Sequence, residues 1–164
     1  MSLYQLTLYT TIRKGCIKME IQQLTEETVI HISPLFNAYR MFYEQESNME
    51  AATDFIKERL QNKESIIFAA KIDNHYVGFT QLYPTFSSVA MKRAFILNDL
   101  FVIEGYRKNG VAKALMDTAF QFAIHQGARF ITLETGANNT KAQALYEKMG
   151  MTIDKDVKHY VYYW

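Results

Sequence analysis

The chain has 164 residues, enough for one domain of common size with a full core, so it needs no disulfide or metal to hold it together. A hydrophobic share of 49%, a charged share of 21% and a formal net charge of +1 fit an ordinary soluble globule, and the scattered Lys and Arg leave no basic stripe for nucleic acid. The single cysteine, Cys16, excludes an internal disulfide, no Cys/His spacing suits zinc, and no run approaches the roughly 20 apolar residues of a membrane helix.

In residues 1–18, Leu3, Tyr4, Leu6, Leu8 and Tyr9 are interrupted by polar residues, so no signal-peptide core forms. Met19 opens a segment that reads as a fresh start. Residues 1–18 are then an over-long start, residues of cloning origin or an extra edge strand, and residues 19–164 are the domain proper. Residues 20–24 read as a short strand. Thr25 and Thr28 offer cap chemistry for a helix over 26–45, where Val29, Ile32, Leu35, Phe36, Tyr39, Phe42 and Tyr43 recur at helical spacing. Pro34 inside that stretch predicts a kink or a break into two pieces. A second helix is expected at 49–62 and a strand at 66–72. Asp73-Asn74-His75 is a turn joining that strand to another at 76–83 as a hairpin. A short loop at 83–92 leads to a long strand at 93–103.

A loop from Glu104 to Asn109 precedes a helix at 110–126 ended by Gly127. A buried-type strand follows at 130–134. Asn138-Asn139-Thr140 caps a helix that reaches Lys148 and closes at Gly150, and strands at 151–155 and 158–163 finish the chain. The order is β-α-α-β-β-β-α-β-α-β-β. Strands 93–103 and 130–134 are joined by a helix and should therefore be parallel, while the middle strands should be antiparallel. The fold class is α/β: a mixed sheet with helices on both faces.

The informative segment is Leu100-Phe101-Val102 followed by Arg107-Lys108-Asn109-Gly110-Val111-Ala112. A strand runs into a loop whose last residues become the first turn of a helix, where backbone amides have no helical partner and the dipole favours an anion. Gly110 and Ala112 keep side chains out of the way, and Arg107 and Lys108 add charge, so a diphosphate fits. No Gly-x-x-x-x-Gly-Lys-Ser/Thr and no Gly-x-Gly-x-x-Gly occurs, so neither a nucleotide P-loop nor a dinucleotide fingerprint is supported. Further on, Ala142, Leu145, Tyr146 and Met149 share one helix face. Tyr146 is there either a core aromatic or a hydroxyl aimed at chemistry.

Together these segments resemble the GNAT superfamily of N-acetyltransferases. Arg107, Gly110 and Ala112 match its Gln/Arg-x-x-Gly-x-Gly/Ala motif. Asn139, Ala142, Leu145, Tyr146 and Gly150 match its Asn-x-x-Ala-x-x-Leu-Tyr-x-x-x-Gly motif. The stretch Gly78-Phe79-Thr80-Gln81-Leu82-Tyr83-Pro84, with Ser87-Ser88 and Leu97-Asn98-Asp99-Leu100-Phe101-Val102, looks like a bacterial and fungal branch linked to polyamines, amino acids or basic protein tails. The resemblance implies an acyl-CoA N-acyltransferase fold, with a mostly antiparallel sheet and one parallel pair splayed to hold coenzyme A. It implies that Leu100, Phe101 and Val102 pair with the pantetheine arm like an added strand. Arg107, Lys108, Asn109, Gly110, Val111, Ala112 and Lys113 would grip the diphosphate, and Asn139, Ala142 and Tyr146 would complete the acetyl-CoA site. An amide near Phe101 or Val102 would stabilise the developing oxyanion, and Tyr146 would protonate the departing sulfur.

The implied acceptor is a primary amine, attacked directly in a ternary complex: a small cationic amine or amino acid, or alternatively a protein lysine or N-terminus. A lysine-like amine of pKa about 10.4 must lose a proton at a penalty of about 4–5 kcal/mol at pH 7. Asp99 and Glu134 are the candidate bases, both near the C-terminal half of strands beside the slot. Tyr39, Phe42, Tyr43, Glu44, Glu46 and Tyr83 combine aromatic walls with negative charge suited to a cation, although Tyr39, Phe42 and Tyr43 also read, and read first, as a buried stripe. A non-catalytic acyl-CoA-binding module is the competing class. No metal, nucleic acid or membrane partner is expected. The lone cysteine fits the cytoplasm, and Tyr160, Tyr162, Tyr163 and Trp164 suggest a homodimer contact.

Overall fold

The structure, a computed structural model, describes residues 18–164 and the backbone of residues 7–10. Among these, strand β1 (Thr7–Thr10) pairs antiparallel with β2 (Met19–Gln23). The rest of residues 1–17, including Cys16, lies outside the described residues. The chain divides into two compact units between Glu134 and Thr135.

In the first unit a 3₁₀ turn, Val29–Ile32, leads into α1 (Ser33–Phe42). Pro34 sits in the first turn of α1, where its missing amide costs nothing, so the long apolar periodicity divides into two pieces just before the proline. The head of this region is closed by Thr28, whose Oγ1 accepts from the Thr25 amide at 2.8 Å. Helix α2 (Met49–Gln61) is capped by Asn48, whose Oδ1 accepts from the Ala51 amide at 3.0 Å, a contact contributing about 1 kcal/mol. Strands β3 (Ile66–Ile72) and β4 (His75–Ser87) form the expected hairpin, with Asp73 and Asn74 at φ 46° and 65°, left-handed values that Asp and Asn tolerate in a tight turn.

Strand β4 is longer than the sequence suggests. The expected loop at 83–92 is corrected: Tyr83–Ser87 continue the strand and pair with Lys92–Ile96 of β5 (Lys92–Val102), leaving only a short turn. Pro84 is tolerated there because its partner Phe95 turns its own amide away from β4 and the pairing with β3 ends at Leu82, so no ladder bond is required of the proline nitrogen. Helix α3 (Val111–His125) returns to β6 (Ile131–Thr132), which lies parallel to β5 as expected. The expected strand at 130–134 is thus cut to two residues. Phe130 instead gives its carbonyl to the Phe95 amide at 3.2 Å, and Leu133 and Glu134 leave the ladder.

Among the described residues the sheet has six strands in sequence order, all neighbours antiparallel except β5 and β6. Its two faces carry separate cores. On one, Val29, Ile32, Leu35, Phe36, Ala52 and Ile56 of α1, α2 and the 3₁₀ turn pack on Ile67, Ala69 and Phe79. On the other, Phe122 of α3 meets Phe68 and Phe95, with ring centroids 5.4 and 5.6 Å away. Each fully buried side chain of this size contributes about 1.5–3 kcal/mol.

The second unit holds α4 (Thr140–Lys148), capped by Asn139, whose Oδ1 accepts from the Ala142 amide at 3.4 Å, and stopped at Gly150, φ 88°. Ala142, Leu145 and Tyr146, with Met149 at its C-cap, are half-buried as the stripe read from the sequence, and Gln143 is half-buried beside them. The strands expected at 151–155 and 158–163 are absent. This segment forms no ladder, and Tyr160, Tyr162, Tyr163 and Trp164 stand exposed, because aromatic strand preference specifies a strand only where a neighbouring edge supplies hydrogen bonds.

Candidate active site

Asp99 is the centre of a buried polar group on the α1/α2 face of the sheet. The ladder between β4 and β5 slips by one residue here: Gln81 stands opposite Asp99 but Leu82 stands opposite Leu97, so Asn98 is an extra residue. Such a bulge re-aims the residues beside it. Asp99 follows it directly and is 3% exposed, while Gln81 is fully buried. Asn98 Nδ2 donates to Asp99 Oδ1 at 3.1 Å, and Thr80 Oγ1 donates to the Asp99 carbonyl at 2.9 Å. Burial pushes the Asp99 carboxyl up to about 6, against the opposing pull of hydrogen bonds from Tyr39 and Asn98. Asp99 Oδ2 and both Gln81 side-chain polar atoms have no hydrogen-bond partner among the described residues. Leaving such atoms unpaired costs about 1–3 kcal/mol each.

Three of the aromatic residues expected at the acceptor site gather here. The Tyr39 ring packs edge-on to Phe79 and Phe101, and Tyr43 packs edge-on to Tyr39 with centroids 5.1 Å apart. Burial, and then the Asp99 charge, raise the Tyr39 hydroxyl far above its ordinary range; the same causes push Tyr83 up to about 12. Both remain protonated donors at neutral pH. Glu46 is not part of the group: it lies exposed beyond α1, and its backbone carbonyl accepts from Arg40 Nη1 at 3.4 Å. Phe42 and Glu44 are exposed as well. Glu134 is exposed and stands past the end of β6.

The outer edge of β5 is the second feature. Its pairing with β6 ends at Ile96, so no strand of the described residues pairs with the outer edge of Leu97–Val102. The Ile103 amide donates to Val77 O at 3.0 Å, which fixes the alternation: Asp99 and Phe101 bond toward β4, while Leu100 and Val102 point their amides outward. Of the two expected oxyanion donors, the geometry therefore leaves Val102 and commits Phe101 to the ladder. Arg107 Nε donates to Val102 O at 2.8 Å and its guanidinium lies over the Phe101 ring, so Arg107 braces the strand end.

A short 3₁₀ turn, Glu104–Tyr106, then leads to α3. Gly110 is its N-cap at φ 80° and Lys108 sits at φ 64°. Between the Arg107 amide, which donates to Glu104 O, and the Ala114 amide, which donates to Gly110 O, no backbone amide of residues 108–113 donates to a backbone carbonyl among the described residues. These amides, beside Arg107, Lys108 and Lys113, suit a diphosphate, and the outward amides of Leu100 and Val102 suit the amide groups of a pantetheine arm. The residues present thus fit coenzyme A. Asn139, Ala142 and Tyr146 lie in the second unit, all half-buried on or at the start of α4.

Gln81 is the member of the polar group that sequence reasoning missed. Its signal was present: it is the one side-chain amide in the run from Val77 to Leu82, whose other polar side chain is the Thr80 hydroxyl, and it stands at the parity of Phe79, which faces the core. Among the described residues no His/Cys/Asp/Glu group could hold a metal ion, and no helix is long and apolar enough to cross a membrane.

A strand edge that opens beside a buried carboxylate and runs into a helix start with unpaired amides suits a protein that holds an acyl-CoA. The family model of the acetyltransferase (GNAT) family matches residues 32–151, and the chain belongs to that family. An uncharacterized N-acetyltransferase, YhfO, of Bacillus subtilis is 46% identical over 142 residues, covering 87% of this chain and 95% of that protein. A probable acetyltransferase of Haemophilus influenzae is 33% identical over 106 residues, 64% of this chain and 73% of that protein. The crystal structure of a probable acetyltransferase, 39% identical, superposes with a TM-score of 0.84 over 88% of this chain and 97% of that one. The chain is an acetyl-CoA-dependent N-acetyltransferase.

Proposed function

We propose that the protein transfers acetyl to the primary amine of a small cationic compound or amino acid, by direct attack with both substrates bound. The observation that carries this reading is the buried carboxylate of Asp99 one residue before the outward-facing edge of β5. Acetyl-CoA supplies the activated acyl carbon. Asp99, with a carboxyl near pH 6, is ionised at neutral pH and takes the proton that the incoming ammonium must lose. Tyr39, Tyr43 and Tyr83 enclose the cation with aromatic rings. The outward amide of Val102 donates to the carbonyl oxygen as it gains charge. Arg107 to Lys113 hold the diphosphate, Leu100 and Val102 hold the pantetheine arm, and Asn139 and Ala142 assist from α4. Tyr146 gives its proton to the departing sulfur. Glu134 is the second candidate base.

The protein works in the cytoplasm, and the exposed aromatic segment Tyr160–Trp164 supports a homodimer, which sedimentation at micromolar concentration tests. The acceptor is tested by release of the free thiol with a panel of polyamines, amino acids and lysine peptides. Turnover with the small amines is expected. Turnover only with peptides would make it a protein acetyltransferase, and acetyl-CoA binding without thiol release would make it a binding module.

A further inference from the structure

Gln81 is fully buried, and among the described residues neither atom of its amide head has a partner; Oδ2 of Asp99, across the ladder from it, has none among them either. The exchange of oxygen and nitrogen in the amide leaves this unchanged, because both are unpaired. The unpaired atoms of the group are therefore two acceptors, Asp99 Oδ2 and Gln81 Oε1, and one donor nitrogen, Gln81 Nε2, with its two N–H bonds. A primary ammonium ion brings donors only. It satisfies the two acceptors and leaves the Gln81 donor without a partner. An occupant that satisfies all three carries an oxygen acceptor close to its nitrogen. The surrounding residues are consistent with an approach from outside, since Tyr39, Tyr83, Leu100 and Phe101 are each only half-buried.

We infer that Gln81 and Asp99 form a paired clamp for the acceptor, and that Gln81 selects amines bearing a hydroxyl or carbonyl oxygen on the neighbouring carbon. This rests on the acceptor reading above and narrows it: a 1,2-amino alcohol or amino-acid amide fits, and a plain alkylamine does not. Asp99 contacts the nitrogen. Gln81 contacts both the nitrogen and the oxygen, so it acts on specificity.

The test measures kcat and KM for matched pairs, ethanolamine against propylamine and glycinamide against propylamine, with wild type, Gln81→Leu and Gln81→Asn. The wild type is expected to prefer the oxygen-bearing member by at least about tenfold in kcat/KM, chiefly through KM, because a site built to bond an oxygen rejects analogues that lack it. Gln81→Leu is expected to bring the ratio close to one, and Gln81→Asn, which keeps the amide head, to retain part of it. Coenzyme A binding and thermal melting identify a variant that has failed to fold, in which case Gln81→Asn alone decides: an undiminished preference overturns the inference and a reduced one supports it. A wild-type ratio near one, or a ratio unchanged in a folded Gln81→Leu, overturns the clamp while leaving the acceptor reading intact. No thiol release with any amine overturns both.

Discussion

Gln81 and Asp99 stand opposite each other on neighbouring strands, both buried, beside the single register shift in the β4/β5 ladder. The sheet interior thus holds a carboxylate where an apolar residue would pack at less cost, and that exchange of stability for chemistry can be measured.

Asp99→Asn should stabilise the protein in a pH-dependent way. The carboxyl rises from an ordinary 3.8 to about 6 on folding, so the folded chain holds this proton more tightly than the unfolded one. Its contribution to stability is full below pH 3.8 and is lost as pH rises through 6, a total of at most about 3 kcal/mol. The melting temperature of Asp99→Asn should match wild type near pH 4 and exceed it above pH 7. Parallel curves across that range would show that the carboxyl is not shifted.

The same group should set the acid limb of the rate profile. For the free enzyme, kcat/KM should climb through about pH 6 as Asp99 loses its proton. Asp99→Asn should abolish that limb and lower the rate by about 10²–10⁴-fold, the usual range for a positioned base. A limb that survives the substitution would move the role to Glu134 or to solvent.

Gly110 adopts φ 80° at the N-cap of α3. Gly110→Ala should cost about 1–2 kcal/mol of stability, because a side chain strains the left-handed conformation. It should also weaken coenzyme A binding by about tenfold as the neighbouring amides turn away. Titration calorimetry with coenzyme A and with its dephosphorylated pantetheine fragment separates the effects: only the diphosphate-bearing ligand should lose affinity.

Tyr146→Phe should lower kcat at least tenfold with little change in acetyl-CoA affinity, since it removes only the transferable proton. Single-turnover thiol release read beside equilibrium binding checks this. An unchanged rate removes Tyr146 from the chemistry.

Much of this was legible in the sequence because its signals are local. The period of the apolar residues gave α2 and α3, Asp73-Asn74 gave the hairpin turn, and the helix joining two strands gave the parallel pair. The Arg107–Ala112 segment also pointed to the unpaired amides. The non-local features were hidden. Whether Tyr83–Ser87 is strand or loop depends on Lys92–Ile96 lying opposite. The aromatic C-terminus reads as strand, yet forms no ladder. Glu46 and Tyr39 both read as acceptor-site residues, but the helix register of α1 places Tyr39 against Phe79 and Phe101, while Glu46 lies exposed in the loop after α1. Gln81 needed the cross-strand pairing before its isolation meant anything.

Asn98 controls more than the direction of one carboxylate. The amides of Phe95 and Val102 both look away from β4, although they are an odd number of residues apart, which an unbroken strand forbids. One interposed residue reverses the phase. Upstream of it the edge is free to join β6; downstream, the same edge presents Leu100 and Val102 to whatever arrives. Remove Asn98 and the two halves of β5 fall back into step; where the downstream half turns over, the acid swings toward the hydrocarbon packed under α3 and the outward amides turn inward with it. Acid and edge donors are thus geared to a single insertion, and neither could drift without the other.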